Sequence, residues 1–375
     1  SLPRKPENKR HKRKRVRMSN SRKAQLNDWV NGQLSQLLEL GSVDIDLTTV
    51  SGDASFRRYF RAQLSEQSFI AVDAPPANEN SELFVEIAGY LREAGVKSPE
   101  VFAKNYSDGF LLIEDFGDRL YLPRFLTLQE GGLDAISEYQ VENLYKDAIR
   151  ALIKIQSSVD KKRLAPYSRK NLRTEMQLFE DWFCGHYLGL DLSTTERDLI
   201  SSTFTFLEEA ALRQAEVAVH RDYHSRNLLI LDDARFPEGC GPGIIDFQDA
   251  MAGAYSYDLV SLLRDCYIRW NPDLVESLAL HYFELANAAG VVEGTSASQF
   301  RRDFDLMGLQ RNFKVMGIFS RLCIRDNKPQ YLADIPLVIR YFLEVASQYG
   351  EMVPFLGWFE TKVLTAAKTK INLEF

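Results

Sequence analysis

Apolar and polar positions follow two different periods along this chain, and the change falls near residue 120. Before it, short apolar runs break at turn residues, as strands do. The stretch "DLTTVSGDASFRRYFRAQL" predicts strand, tight turn, strand. Thr48 to Ser51 leads in, Gly52, Asp53, Ala54 and Ser55 turn, and Phe56 to Leu64 leads out. "SFIAVDAPP" and "GFLLIEDFGD" predict further strands, the second ending in an acidic segment at Glu114 and Asp115. Between them, "SELFVEIAGYLREAG" predicts a helix. After residue 120 the spacing becomes helical. In "EYQVENLYKDAIRALIKIQ" the apolar positions are Val141, Leu144, Tyr145, Ala148, Ile149, Leu152 and Ile153. "RTEMQLFEDWFCGHYLG" repeats the pattern and stops at a Gly. Its Trp182, Phe183, Tyr187 and Leu188 are candidate core. "GAYSYDLVSLLRDCYIRW" predicts a helix capped by Ser256 or Asp258 and running to about Trp270.

One stretch interrupts this pattern. In "VAVHRDYHSRNLLIL" two apolar runs flank a polar loop carrying His220, Arg221, Asp222, His224 and Asn227. A polar turn between strands is ordinary. The spacing H-R-D-x-x-x-x-N is not, because it is the catalytic-loop pattern of phosphoryl-transfer enzymes. Downstream, "GIIDFQDA" ends a short apolar strand in Asp246-Phe247. Phosphoryl transfer needs a hydroxyl held in line and phosphate charge neutralised. Asp222 is the candidate to orient the hydroxyl and accept its proton. Asp246 and Asn227 are the candidate magnesium ligands, since hard Mg2+ prefers oxygen donors.

These motifs resemble the aminoglycoside phosphotransferase superfamily of small-molecule kinases. "SGDASFRRYFR", "VDAPP", "LLIEDFGD", "DWFCGHYLG" and "QRNFKVMGIFSRLCIRDNKPQYL" resemble, within it, bacterial N-acetylmuramate/N-acetylglucosamine kinases of cell-wall recycling. The resemblance runs from about residue 24 to the C-terminus. It implies an α+β, protein-kinase-like, two-lobed fold. A basic arm (1–20) would precede a small antiparallel-sheet N-lobe (21–115) and a mostly helical C-lobe (116–375). It implies Mg-ATP as cofactor and a small-molecule amino sugar phosphorylated at its anomeric hydroxyl. The turn Gly52, Asp53, Ala54 and Ser55, with Arg57 and Arg58, would meet the phosphates. The backbone at Glu114 would read the adenine edge. Asp258 would anchor the catalytic loop. One departure stands out: kinases carry a Lys on the third strand, paired with a helix Glu. Here that strand reads Val72-Asp73, and no Lys lies between Lys23 and Lys97. An arginine of the hairpin must replace it, Arg57 being favoured and Glu86 the expected partner. Otherwise the chain is a nucleotide-binding sensor without turnover. Kinases of aminoglycosides, choline or amino acids share the same motif set. The last third is helical, and at one helix end Arg321, Arg325, Asp326 and Lys328 either complement the helix dipole or meet a sugar carboxylate. Gln310, Arg311 and Lys314 form a second polar group there, without an assigned role.

Composition changes the picture at one end. Of 375 residues, 45% are hydrophobic, enough for a two-lobed enzyme with a sizeable core. The first 20 residues carry nine Lys/Arg against one Glu. Their balance of +8 within a net −6 leaves −14 for the rest. The expectation is an unstructured arm that does not bind nucleic acid and is dispensable for turnover. Four scattered cysteines read as free thiols of a cytoplasmic protein. No apolar run is long enough to span a membrane. The residues leave the oligomeric state open.

Overall fold

The computed structural model describes residues 8–51, 56–132, 134–231, 234–236 and 239–373, with side chains from residue 21 onward. The fold has two compact units. One comprises residues 1–92 and 98–117, the other 93–97 and 118–375.

The first unit holds α1 (Asn8–Leu37), β1 (Thr48–Ser51), β2 (Arg58–Leu64), β3 (Gln67–Asp73), α2 (Ser81–Glu93), β4 (Val101–Asn105) and β5 (Phe110–Glu114). α1 begins inside the basic arm read above as unstructured. The strands form one antiparallel sheet in the order β1-β2-β3-β5-β4. Alternation puts Phe60 and Ala62 of β2, Phe69 and Ala71 of β3, and Phe110 and Leu112 of β5 into one core with Leu26, Val30 and Leu34 of α1. β3 is buried at every position from Phe69 to Asp73. That is why its sequence reads as a continuous apolar run instead of an alternating one. The hairpin turn at Gly52, Asp53, Ala54 and Ser55 lies outside the described residues. Phe56 at its exit is 55% exposed, whereas Arg57 is 3% exposed.

The second unit is mostly helical. Its elements are α3 (Tyr121–Glu130), α4 (Ala135–Ser158), β6 (Ala165–Pro166), α5 (Arg169–Leu178), α6 (Thr194–Leu212), β7 (Glu216–Val219), β8 (Leu228–Leu229), β9 (Gly243–Ile244), β10 (Met251–Ala254), α7 (Ser256–Leu263), α8 (Pro272–Ala288), α9 (Ala297–Ile324), α10 (Ile335–Ala346) and α11 (Val353–Trp358). α5 continues as a π-helical stretch, Phe179–Leu188, which ends at Gly189 with φ 74°. Phe183 and Leu188 join the core there, while Trp182 and Tyr187 are half-buried. α9 runs through the middle of this unit. Its Phe313 packs against Phe179, Phe204, Phe342 and Phe355.

α7 differs from expectation. It ends at Leu263, because Arg264 leaves helical geometry (φ −114°, ψ 52°). Neither Ser256 nor Asp258 caps it; the N-cap Tyr255 makes no side-chain cap bond. Both side chains are engaged elsewhere. Ser256 Oγ donates to Gln214 Oε1 (2.6 Å), and the Asp258 carboxylate serves the catalytic loop.

Candidate active site

β7 ends at Val219, and the loop that follows is fixed from below by two buried carboxylates. Asp258 Oδ2 accepts from the His220 backbone N–H (2.6 Å), and Oδ1 accepts from that of Arg221 (2.9 Å). The anchoring expected of Asp258 thus runs through backbone N–H groups. Asp265 Oδ2 accepts from the Ser225 N–H (3.0 Å) and from its hydroxyl, while Oδ1 accepts from the Tyr267 N–H (3.0 Å). Asp265 lies just past the end of α7, within the stretch expected to continue as helix to about Trp270, and is buried. Satisfying these N–H groups holds an otherwise unfavourable backbone. Arg221 takes φ 79° and Asp246 φ 62°, the left-handed region that side-chain-bearing residues adopt rarely. Such geometry persists only where the surroundings over-determine it.

His220 braces the loop from inside. Its Nε2 lies 3.0 Å from the Ile245 carbonyl, and its Nδ1 accepts from the Asp222 N–H (3.3 Å). This pair of partners requires the proton on Nε2. Asn227 Nδ2 donates to the Asp222 carbonyl (2.9 Å) and to Asp246 Oδ2 (3.4 Å). β8 pairs with β9, and the Ile245 N–H donates to the Asn227 carbonyl (3.1 Å). The short ladder therefore brings Asn227 and Asp246 together from opposite strands. Gln248 Nε2 donates to Asp246 Oδ1 (2.8 Å). The amide nitrogen of Asn227 is used internally, which leaves its oxygen outside these two bonds. An amide oxygen and a carboxylate suit magnesium. Among the described residues no group of three or more His, Cys, Asp or Glu could hold a metal.

Asp222 is half-buried. Burial alone would raise its carboxyl, but Lys314, His224, Arg311 and His220 outweigh that and hold it at about 2. It is ionised at any physiological pH. Of these, Lys314 and Arg311 belong to a buried network and were without an assigned role in the sequence. Lys314 Nζ lies 3.2 Å from Glu175 and donates to the Tyr257 hydroxyl (2.8 Å). Arg221 donates to Glu175 (2.6 Å), and the Tyr167 hydroxyl donates to the same carboxylate. Arg311 donates to the Arg221 carbonyl (3.2 Å). The signal available in the sequence was the polar group Gln310, Arg311 and Lys314 set among the apolar positions Met307, Leu309, Phe313 and Met316 of this helix.

In the first unit, Arg57 meets Glu79 (3.1 Å) and lies 5.2 Å over the Phe84 ring. This corrects the expected partner: Glu86 is exposed on α2. Arg58 closes onto the fully buried Asp73, which also accepts from Arg22 (2.5 Å). Asp73, at the place where a Lys was expected, is thus the centre of an ion-pair cluster. Arg61 pairs with Asp115 (2.6 Å). The Glu114 N–H donates to the Glu100 carbonyl (2.8 Å), and its carboxylate accepts from the Glu100 N–H (3.2 Å). At the end of α9, Arg325 closes onto its neighbour Asp326 (2.8 Å).

A unit with a small antiparallel sheet and a helical unit bearing this loop define a two-lobed, kinase-like phosphotransferase. The comparisons agree. The sequence profile of the APH phosphotransferase enzyme family matches residues 46–291, and the chain belongs to that family. It is 38% identical over 332 residues to an N-acetylmuramate/N-acetylglucosamine kinase of Pseudomonas putida, spanning 88% of this chain and 93% of that one. It is 37% identical over 312 residues to a protein of the same name from Neisseria meningitidis, spanning 83% and 89%. Among solved structures, an ADP-bound aminoglycoside phosphotransferase APH(2'')-Ib superposes with a TM-score of 0.54 over 86% of this chain and 98% of that one, at 15% identity. A choline kinase from Streptococcus pneumoniae gives 0.55 over 84% and 98%, at 10% identity. At such low identity these two speak for the fold alone. Among the described residues no helix is long and apolar enough to cross a membrane.

Proposed function

We propose that this chain transfers the γ-phosphoryl group of Mg-ATP to the anomeric hydroxyl of N-acetylmuramate or N-acetylglucosamine, in the cytoplasm. The observation that carries the reading is 38% identity to kinases of that name, spanning 88% of this chain and 93% of theirs. The loop geometry that links Asp222, Asn227 and Asp246 supports it. In the proposed reaction Asp222 orients the sugar hydroxyl and takes its proton. With its carboxyl held near 2, it is a weak base. That suits a loose transition state in which the proton leaves late. Asn227 and Asp246 would hold magnesium, which neutralises phosphate charge when bound. In the first unit, the Gly52, Asp53, Ala54 and Ser55 turn would offer backbone N–H groups to the nucleotide. Arg57, steadied by Glu79, would take the part of the missing Lys. Arg58 is bound to Asp73 and so is the weaker candidate. The backbone at Glu114 would meet the base.

The test is ATP consumption by the purified protein with magnesium. The acceptors are N-acetylmuramate, N-acetylglucosamine, glucose, kanamycin, choline and homoserine. Turnover on the N-acetylated sugars, with the phosphate at C1 by phosphorus NMR, is expected. Asp222→Asn should lower kcat by at least about a hundredfold, the usual scale for removing a general base. Turnover confined to another acceptor would remove the sugar assignment. ATP binding without turnover would make the chain a sensor.

A further inference from the structure

Arg226 stands out among the arginines of the helical unit. It lies on the catalytic loop, four residues after Asp222 and immediately before Asn227. Its place is fixed on both sides. Ser225 is pinned to Asp265, and the Asn227 N–H donates to the His224 carbonyl (2.9 Å). Its guanidinium carbon sits 3.5 Å over the Tyr267 ring, with Tyr331 6.0 Å away. Other half-buried arginines of this unit are closed by carboxylates: Arg221 by Glu175, Arg264 by Asp305, Arg269 by Glu344. Among the described residues no hydrogen bond or ion pair engages the Arg226 guanidinium. Stacking uses the face of the group and leaves its N–H edge open, the geometry that takes a carboxylate in a two-pronged contact. His224 meets the same Tyr267 ring edge-on (5.4 Å), and its buried Nδ1 has no hydrogen-bond partner. Asp334 acts on Arg226 electrostatically without forming an ion pair. Burial, reinforced by Asp265 and opposed by Arg226, pushes Asp334 up to about 6.

We propose that Arg226, stacked on Tyr267, recognises the carboxylate of the acceptor and sets the preference for N-acetylmuramate over N-acetylglucosamine. This rests on the amino-sugar reading above. The two sugars present the same anomeric hydroxyl; N-acetylmuramate adds a lactyl ether ending in a carboxylate. Charge is therefore the feature that separates them, and a stacked guanidinium with an open edge, carried on the same loop as Asp222, reads charge. In the cluster Arg321, Arg325, Asp326 and Lys328, Arg325 is closed onto Asp326 and the Arg321 Nε is buried without a partner; Arg226 is preferred because it lies on the loop that carries Asp222.

The experiment measures kcat/KM for N-acetylmuramate, its methyl ester and N-acetylglucosamine in the wild type, Arg226→Ala and Arg226→Lys. The methyl ester keeps the size of the lactyl group and removes its charge. The wild type should favour the acid over the ester. In Arg226→Ala that ratio should fall at least about tenfold, the scale of a lost hydrogen bond to a charged group. Arg226→Lys, with charge but no fork, should fall between. Ratios are read because a general loss of folding cancels from them. An unchanged acid-to-ester ratio in Arg226→Ala, or no preference in the wild type, overturns the proposal and leaves the sugar-kinase reading standing. Wild-type inactivity on all three acceptors overturns both.

Discussion

The charge on Asp222 is set against the trend of its surroundings. Burial raises the carboxyl; Lys314 and Arg311 from α9, with His224 and His220 from its own loop, bring it down to about 2. Lys314 keeps its own proton although burial opposes that, because Glu175, Tyr257 and Asp222 favour the ammonium. The consequence is a pH prediction with a definite sign. A carboxylate whose pKa is depressed stays ionised down to about 2, so it puts no acid limb on kcat/KM in the ordinary range. Lys314→Met removes the largest cation acting on it. The Asp222 pKa should then rise toward or beyond its ordinary 3.8, and an acid limb should move up in pH. Glu175 keeps Arg221 as a partner at 2.6 Å, so the network is not emptied. The pH profile of kcat/KM checks this, with thermal melts to show that the variant is folded. An acid limb unmoved by the substitution would mean that Lys314 only packs.

At the scale of the element, α9 carries these cations and is placed by a close crossing. A Cβ on Gly317 would fall 2.3 Å from the Leu178 carbonyl carbon and 2.5 Å from its oxygen. The obstacle is backbone, which cannot rotate aside. Gly317→Ala should therefore destabilise the protein by about 1–3 kcal/mol, the usual range for overpacking, read as a lower midpoint in urea. A midpoint unchanged by the substitution would show that α5 and α9 separate easily. α9 also shows where sequence reading stops. Its helicity was legible from spacing. The burial of Gln310, Arg311 and Lys314 was not, because a polar group inside a helix ordinarily marks a solvated face. Their partners stand far off in the chain: Gln310 and Glu175 are 135 residues apart, Lys314 and Tyr257 57. Asp222, Asn227 and Asp246 were legible for the opposite reason. The loop and the short β8–β9 ladder place them with contacts local enough to leave a fixed spacing. The helix at Ser256 was expected to run to about Trp270 because the apolar period continues past Leu263, where the helix stops.

For the whole molecule, the question at the N-terminus is where a removable arm becomes structure. Charge and burial give different weights to its two ends. Residues 1–17 hold the +8 of the arm, and the remaining chain carries −14 without them. Further along α1, Arg22 pairs with Asp73, and Leu26, Val30 and Leu34 are fully buried against the sheet. Burying three such side chains stabilises by about 5–9 kcal/mol at about 1.5–3 kcal/mol each, comparable to the net stability of a domain. Removing residues 1–17 should therefore leave kcat and the melting temperature close to those of the full chain, although it makes the protein more acidic. Removing residues 1–34 should abolish turnover, because the sheet bearing Arg57 loses the helix that covers one of its faces. The pair of truncations is read by ATP turnover and thermal melting. A large loss of turnover in the shorter truncation would assign the basic arm a part in the reaction. Full activity in the longer one would mean that the sheet folds without α1.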